Sequence, residues 1–179
     1  VSIPDAEVSS WTAEDINLDI IFACDDYAII NKPAGLVMHP GAGVKSGTLA
    51  NGVAKIYPEV LSLPRNGIVH RLDKDTSGLV VIARNNGFRN HIAEQFQNRK
   101  VEKKYLAVIK GEILGALTLD KPIARDRQNR TKMKVDESGR EAISEAISVE
   151  SFGGYSLIEV KIKTGRTHQI RVHLSSNKT

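Results

Sequence analysis

The sequence predicts an α+β domain built on a mostly antiparallel sheet. Strand-like apolar segments follow one another without a helix between each pair, which argues against a doubly wound parallel sheet. Residues 158–162 alternate apolar and charged side chains, a pattern typical of a strand with one buried face. A length of 179 residues, 41% of them apolar, is enough to bury the core of one domain.

The first half of the chain is predicted to contain strands, a long loop and a helix. Acidic turn-forming residues separate two apolar runs, and glycines and prolines then interrupt every regular pattern. Thr48 has the side chain of a helix N-cap, and Pro58 ends the segment that follows. The predicted elements are two strands within residues 19–31, a loop over 33–47, a helix over 48–57, and apolar runs at 67–69 and 79–83.

The second half is predicted to be rich in strands. A helix precedes it, because Ile92, Ala93 and Phe96 fall on one face of a helical pattern. The predicted elements are this helix over 88–99, a strand over 103–110, a strand-rich stretch over 117–149, the alternating strand over 158–162, and a short helix over 167–175. We expect residues 1–17 to form an arm or linker and residues 18–179 to form the domain itself.

The net charge of +4 conceals an uneven distribution. Residues 1–31 contain seven acidic residues and no lysine or arginine, whereas the rest of the chain contains 25 basic and 14 acidic residues. A compact body with that excess of positive charge attracts polyanions such as nucleic acids. A basic surface that only faces solvent is the alternative interpretation of the same distribution.

Composition excludes several classes of protein. The sequence has no run of about 18 apolar residues, so we expect no membrane-spanning helix. The polar, acidic start is unlike a signal peptide, and a first residue other than methionine indicates a fragment or a processed product. The single cysteine, Cys24, excludes an internal disulfide framework and predicts a reducing, cytoplasmic location.

Residues 73–78 form a polar Asp-Lys-Asp-Thr-Ser-Gly turn between two apolar runs. The spacing matches the first half of a calcium-binding loop, but Arg84 occupies the twelfth position, where that loop requires a glutamate. We therefore predict no calcium site. The purely structural interpretation is an Asx turn, in which Asp73 and Asp75 bond to their own backbone.

Positive side chains bracket Asp73 and favour a functional interpretation of this turn. His70, Arg71 and Lys74 all lie within three residues of it. Opposite charge keeps a carboxylate ionised, so Asp73 is available at neutral pH as a nucleophile or a base. Alternation along an extended segment would place Arg71 and Asp73 on the same side of the chain.

Residues 165–173 form a second polar, basic segment. In a helix, His168 and Arg171 would lie on one side, three residues apart. A basic helix edge that only touches solvent is the alternative interpretation. His168 and His173 are five residues apart and have no partnering cysteine, so we predict no metal site.

Two more segments contain residues that recur in binding sites. Tyr105 lies in a predicted strand, where it either packs against neighbouring strands or offers an aromatic face to a base. The glycine-rich loop after Asn31 hints at dinucleotide binding. Ser46, however, replaces the third glycine of that motif, and the Gly-Lys-Ser/Thr sequence of a P-loop is absent. We predict no nucleotide cofactor.

Taken together, four segments resemble the RluA-type RNA pseudouridine synthases, and in particular the RluD-like group that modifies large-subunit ribosomal RNA. One match would be a weak signal, whereas four matches in the family's order are specific. The segment containing Asp73 resembles the family's catalytic signature, and the segment containing Arg171 resembles its late arginine motif. The four matching segments are residues 31–40, 70–79, 104–105 and 165–173.

The resemblance implies roles for individual residues. Asp73 matches the catalytic aspartate, and Tyr105 matches the tyrosine that lies against the uracil. Arg171 matches the arginine that pairs with the aspartate, with Arg166 as the alternative. Arg71 matches the arginine that takes the place of the extruded base. The other residues expected to contact the RNA are His70, Lys74, Thr76, Lys104, Arg166, His168, Lys32 and His39.

The resemblance also implies the pseudouridine synthase fold, with a mixed, mostly antiparallel central sheet and flanking helices. The catalytic domain would occupy residues 18–179. Family members continue beyond the arginine motif with a glycine- and proline-rich segment and further strands, so we expect part of the active-site wall to be missing here. Many members carry an S4-like RNA-binding domain, and residues 1–17 would be the linker after such a domain.

The implied reaction isomerises uridine to pseudouridine in structured RNA, with ribosomal RNA as the first candidate and transfer RNA as the second. No atom is lost and no redox change occurs, so we expect no cofactor, no metal, and no membrane or protein partner. A stacked uridine must be flipped out before it can react. Candidates for phosphate contacts are Arg125, Arg127, Arg130, Lys132 and Lys134.

Two hypotheses from other classes compete with this one. A non-catalytic RNA-binding module on the same fold would have no use for an acid at position 73, which faces a polyanion. A metal-dependent nuclease needs clustered carboxylates, and the sequence offers none suitably placed beyond the pair at 73 and 75.

Overall fold

A computed structural model describes residues 11–41, 43–129 and 131–177. The described residues fall into two compact units, the first ending at Asn98 and the second beginning at Arg99. Each unit contains its own antiparallel sheet. Within the described ranges, no helix is both long and apolar enough to cross a membrane.

In the first unit, residues 11–41 and 43–98 form three strands, two α-helices and two 3₁₀ turns. Its elements are β1 (Asp19–Ala23), β2 (Tyr27–Lys32), α1 (Leu49–Ile56), the 3₁₀ turns Pro58–Ser62 and Pro64–Gly67, β3 (Gly78–Ala83) and α2 (Asn86–Gln97). The strands pair in the order β1-β2-β3, so β3 lies at an edge. Along the central strand β2, every second residue is buried, which gives the sheet one packed face.

Helix α1 begins at the N-cap that the sequence predicts. Asn51 accepts hydrogen bonds through Oδ1 from the backbone N–H of Thr48 (3.0 Å) and from its hydroxyl group (2.5 Å). The Asn51 side chain also donates to the carbonyl oxygen of Thr12 (2.7 Å). The predicted arm over residues 1–17 therefore packs on α1 in its described part, while its first ten residues lie outside the described ranges.

The chain turns sharply at Gly67, just before the polar loop over residues 70–77. Gly67 has a φ of +73°. A Cβ atom at Gly67 would lie 2.0 Å from the carbonyl oxygen of Ala83, so only glycine fits there. The apolar run that follows forms no strand, and Ile68 makes a single bridge to Ile82 instead. This close approach brings the start of the loop alongside β3.

The described residues of the second unit form six strands and one α-helix. Its elements are β4 (Lys104–Lys110), β5 (Ala116–Asp120), β6 (Ile123–Arg125), β7 (Met133–Val135), β8 (Ile143–Phe152), β9 (Tyr155–Ile162) and α3 (Gln169–Ser176). Four strands form a sheet of order β4-β9-β8-β5, and β6 pairs with β7. On β9, Ile158, Val160 and Ile162 are buried, as their alternation predicts, and they anchor the hydrophobic core of this unit.

Helix α3 begins two residues later than the sequence predicts. His168 has a left-handed backbone conformation, with a φ of +54°, and serves as the N-cap. Val172 of α3 packs with Ile123 and Ala142, while Leu174 joins the core beneath the four-stranded sheet. The helix is therefore held by apolar contacts along its length.

The structure confirms the α+β class and the antiparallel pairing that the sequence predicts. Within the described ranges, the strands divide into sheets of three, four and two strands. The helices predicted over 48–57, 88–99 and 167–175 are present, with ends that differ by one or two residues.

Candidate active site

The loop over residues 70–77 carries Asp73. Its side chains alternate, since Arg71 is exposed, Leu72 is buried and Asp73 is half-buried. Leu72 anchors the loop in the first unit, and both of its neighbours are less buried than it is, which fits the predicted alternation. The backbone N–H of Thr76 donates to the carbonyl oxygen of Asp73 at 3.1 Å and closes a turn. The loop therefore holds Asp73 partly exposed in the first unit.

Lys32 ties this loop to the end of β2. Its side chain is 0% exposed. The ammonium group donates to the carbonyl oxygens of Pro33 (2.8 Å), Leu36 (2.9 Å) and Lys74 (2.9 Å). Because Lys74 directly follows Asp73, these bonds fix the backbone beside the carboxylate. A buried ammonium with three carbonyl partners is suited to positioning the loop, not to the direct RNA contact that the sequence predicts.

Two opposing effects act on the Lys32 ammonium. Burial lowers its pKa below the ordinary value of 10.5, and the negative charges of Asp75 and Asp73 raise it again, with a net lowering. The electrostatic influence of both carboxylates means that they lie close to a buried positive charge. The three carbonyl oxygens compensate in part for the water that the ammonium loses.

His70 holds the loop on the other side of Asp73. Its Nε2 atom accepts a hydrogen bond from the backbone N–H of Val81 in β3 at 2.9 Å. We therefore assign the proton of the neutral ring to Nδ1. The ring stacks on Phe96 of α2, with centroids 4.9 Å apart and planes 25° apart. An RNA contact of His70 stays a prediction. Its hydrogen bond to Val81 and its stacking on Phe96 show that the ring holds the loop in place.

The remaining first-unit residues predicted to contact RNA differ in exposure. His39 is half-buried, and its ring stacks on Trp11 with centroids 5.7 Å apart and planes 6° apart. The side chain of Lys74 is exposed, whereas Thr76 is half-buried. The structure thus places Lys32 of β2 against the loop that carries His70 and Asp73, and leaves the side chain of Lys74 exposed.

Tyr105 lies in β4 of the second unit, opposite Val160 of β9. The half-buried ring packs against the hydrophobic core, so the packing interpretation of this tyrosine is correct for its ring. Its neighbour Lys104 is exposed on the other face, with its ammonium 3.6 Å from the carboxylate of Glu159. The catalytic role of Tyr105 and the RNA contact of Lys104 stay predictions.

The late polar motif builds a buried hydrogen-bond network around Gln169, a residue that sequence analysis does not single out. Gln169 is 3% exposed. Its Oε1 accepts from the hydroxyl of Thr164 (2.8 Å) and the backbone N–H of Arg166 (2.9 Å). Its Nε2 donates to the carbonyl oxygen of Ile143 and the hydroxyl oxygen of Ser144, both at 3.0 Å. The start of α3 is therefore fixed to β8.

His173 extends this network and is 0% exposed. Its Nδ1 lies 2.9 Å from the hydroxyl of Ser144, and its Nε2 lies 2.9 Å from the carbonyl oxygen of Lys121. Since a carbonyl only accepts, Nε2 carries the proton and the Ser144 hydroxyl donates to Nδ1. Gln169 and His173 are four residues apart, and this polar pair on one helix face is the signal that could have identified the network.

The other predicted residues of this motif lie in different surroundings. Arg166 is half-buried, and its Nε donates to the carbonyl oxygen of Glu141 at 2.8 Å. Arg171 lies in α3 and is exposed. His168 is half-buried at the start of the helix. Which arginine pairs with Asp73 stays a prediction.

The basic residues expected to contact phosphates surround the β6–β7 hairpin. Arg125 ends β6, and Lys134 lies in β7 with its ammonium 3.3 Å from the carboxylate of Asp136. Arg127 and Lys132 are exposed between the two strands, and Arg130 lies outside the described residues. Throughout the described part of the chain, no group of three or more His, Cys, Asp or Glu side chains could hold a metal ion.

Comparison with known proteins links this arrangement to one family. The family model described as RNA pseudouridylate synthase matches residues 26–176. The chain is 42% identical over 169 residues to ribosomal large subunit pseudouridine synthase D of Yersinia pestis, covering 94% of this chain and 52% of that protein. It is 44% identical over 165 residues to the protein of the same name from Pseudomonas aeruginosa, covering 92% and 52%. The chain thus spans about half the length of these relatives.

Two solved human structures have a similar fold. RNA Pseudouridylate Synthase Domain Containing 1 superposes with a TM-score of 0.73 at 24% identity, covering 98% of this chain and 69% of the human chain. RNA Pseudouridylate Synthase Domain Containing 4 gives a TM-score of 0.69 at 27% identity, covering 89% and 64%. The strand and helix arrangement described above is therefore shared with both.

Proposed function

The chain belongs to the RNA pseudouridylate synthase family, and from this premise we propose that it isomerises specific uridines to pseudouridine in large-subunit ribosomal RNA. The names of relatives more than 40% identical to it support this substrate. The excess of lysine and arginine after residue 31 suits a polyanionic substrate. Modification of ribosomal RNA would take place in the cytoplasm.

The observation that carries the proposal is the anchored loop of Asp73. Lys32 fixes the backbone after Asp73, His70 fixes the backbone before it, and Leu72 is buried beside it. Asp73 itself is half-buried. A purely structural Asx turn would not require a buried ammonium and a histidine bond to hold it. Preorganisation of this kind is what a carboxylate needs to meet a substrate atom in a fixed geometry.

The reaction breaks the N1–C1′ bond of uridine and joins C5 of the same uracil to C1′. We propose that the Asp73 carboxylate starts it in one of two ways. In the first, it attacks C1′, and the uracil leaves with the electrons of the N1–C1′ bond. In the second, it removes the proton at C2′, the uracil leaves in the same way, and a glycal forms. The detached uracil turns and C5 bonds to C1′, while the Asp73–C1′ bond breaks in the first route and the proton returns to C2′ in the second. The hydrogen of C5 leaves as a proton, and N1 takes up a proton. The reaction needs neither an oxidant nor a second substrate.

Other predicted residues have tasks that follow from this sequence of steps. The flipped uridine leaves a gap in the RNA stack, and the exposed Arg71, two residues before Asp73, would fill it. The Tyr105 ring, whose direction is fixed by core packing, would lie against the uracil. A uracil that stays bound while it turns reacts at a high effective concentration, which favours return over loss.

Tritium release tests the proposal, because the hydrogen at C5 of uridine is lost when C5 bonds to C1′. Large-subunit ribosomal RNA carrying tritium at C5 is incubated with the wild-type protein and with Asp73→Asn. The wild type should release tritium and Asp73→Asn should release none, while both bind the RNA. Asp75→Asn is the matched control, since it removes an exposed carboxylate of the same loop and should stay active.

Two arms of the experiment refine the result. Labelled transfer RNA in place of ribosomal RNA tests the other substrate class, and faster release from transfer RNA would overturn the ribosomal assignment. Deuterium at C2′ separates the two routes, since only removal of the C2′ proton is slowed by it. Normal turnover by Asp73→Asn would refute the role of this carboxylate.

A further inference from the structure

Two arginines of the second unit bind Glu141, and Lys103 lies near both of them. Arg99 donates through its guanidinium to the carboxylate of Glu141 at 3.3 and 2.5 Å. Arg166 donates through Nε to the carbonyl oxygen of the same residue at 2.8 Å. Lys103 is close enough to both arginines for their charges to affect it. Glu141 thus binds both arginines near Lys103. Its single negative charge offsets one of the three positive charges of Arg99, Lys103 and Arg166.

Lys103 is the member of this cluster without an anionic partner. Its ammonium has neither a hydrogen bond nor an ion pair within the described part of the second unit. Burial, then Arg99, then Arg166 lower the pKa of this lysine below its ordinary value of 10.5. Its Nζ lies 3.8 Å from the point where a Cβ of Gly165 would be, so the absent side chain leaves room beside the ammonium.

The end of α2 sets the position of Arg99. Arg99 directly follows the C-cap Asn98 and has a φ of +57°, the left-handed conformation in which many helices end. The hydrogen bond and negative charge of Glu141 raise the pKa of Arg99, so the ion pair stabilises the charged guanidinium in this position.

We propose that Arg99, Lys103 and Arg166 bind a phosphate group of the substrate RNA backbone. The inference rests on the proposed function, since that function makes RNA the ligand. Guanidinium groups present paired N–H donors that match phosphate oxygens, and the lysine adds a mobile point charge. Glu141 holds the two arginines in place without cancelling the excess positive charge. A purely structural ion-pair cluster would instead provide one carboxylate for each cation.

The experiment compares Lys103→Gln with Lys110→Gln in the full protein. Lys110 is an exposed lysine of the same strand region, outside the cluster, so both variants lose one positive charge. Binding of a large-subunit ribosomal RNA transcript is measured over a range of salt concentrations, together with tritium release. Lys103→Gln should weaken binding about fivefold near physiological salt and reduce the slope of log affinity against log salt by about one. Lys110→Gln should change neither.

A stability measurement separates a binding role from a structural one. Lys103→Met removes the repulsion by the two arginines, so its urea midpoint without RNA should equal or exceed that of the wild type, while RNA binding falls. A lowered midpoint with unchanged binding would overturn the phosphate site.

The outcomes distinguish the two proposals. Tritium release by the wild type with an unchanged salt slope in Lys103→Gln would remove the phosphate site and leave the isomerase proposal intact. If RNA binding depends on Lys103 but the wild type releases no tritium, the phosphate site stands and the isomerase proposal is overturned. Failure of the wild type to bind the transcript would overturn both.

Discussion

The Nε2 atom of His70 accepts a hydrogen bond from the backbone N–H of Val81 at 2.9 Å, and this bond fastens the Asp73 loop to the edge of β3. An edge strand leaves every second backbone donor without a strand partner, and His70 satisfies one of them. On the other side of Asp73, the ammonium of Lys32 holds the carbonyl of Lys74. The loop is therefore held before and after its carboxylate by side chains from its own unit.

Removing the His70 ring should destabilise the protein. In His70→Ala, the N–H of Val81 loses its acceptor and Phe96 loses its stacking partner. We expect the free energy of unfolding to fall by about 1–3 kcal/mol in urea denaturation. The control is His91→Ala, since His91 is exposed on α2 and should change stability by less than about 0.5 kcal/mol. Equal effects of the two variants would rule out a special role for His70.

Lys32→Met should be more damaging, because three carbonyl oxygens lose a buried positive partner at once. We expect a loss of about 3–5 kcal/mol in the free energy of unfolding. Lys74→Met is the matched control: Lys74 takes part in this contact through its backbone alone and its side chain is exposed. The free energy of unfolding of Lys74→Met should stay within about 0.5 kcal/mol of the wild-type value. A tolerant response to Lys32→Met would mean that the carbonyls find other partners.

Tyr105→Phe should affect catalysis more than folding. Phenylalanine keeps the ring that packs against the core, so the free energy of unfolding should change by about 1 kcal/mol or less. The rate of tritium release should fall by about tenfold or more, as expected for loss of a group that acts in the reaction. Tyr155→Phe, an exposed tyrosine of β9, should change neither quantity. An unchanged rate in Tyr105→Phe would assign this residue to packing alone.

Gln169→Ala should loosen the start of α3. The substitution removes four hydrogen bonds. The polar groups that bonded to the Gln169 side chain then stay in place without this partner. We expect the free energy of unfolding to fall by about 2–4 kcal/mol in urea. The control Gln128→Ala changes an exposed glutamine between β6 and β7 and should have little effect. Similar midpoints for both variants would show that the network is not needed.

The sequence identified much of the fold from local patterns. The capped helix at Thr48, the alternating strand through Val160 and the turn between β1 and β2 were all predictable, because each depends on neighbours within a few residues. The boundary of α3 was not, since the left-handed conformation of His168 is no part of a periodic pattern.

The candidate site was predictable in part. The charged surroundings of Asp73 were visible in the sequence, and the resemblance of four segments to one family indicated its role. The sequence predicts an RNA contact for Lys32, whereas the structure buries its side chain against three carbonyl oxygens. No sequence pattern singles out Gln169, although it holds the late motif together. In both cases the sequence contains the polar side chain but does not indicate its hydrogen-bond partners.

By itself, the sequence determined the fold class, the family and the position of the acidic loop, because these depend on patterns carried by neighbouring residues. Only the tertiary structure decided which polar side chains support the loop and which face solvent. Lys32 is buried because the carbonyl of Lys74 reaches it from 42 residues away. A buried charge is stable only with such partners, and partners distant in sequence meet only when the chain has folded.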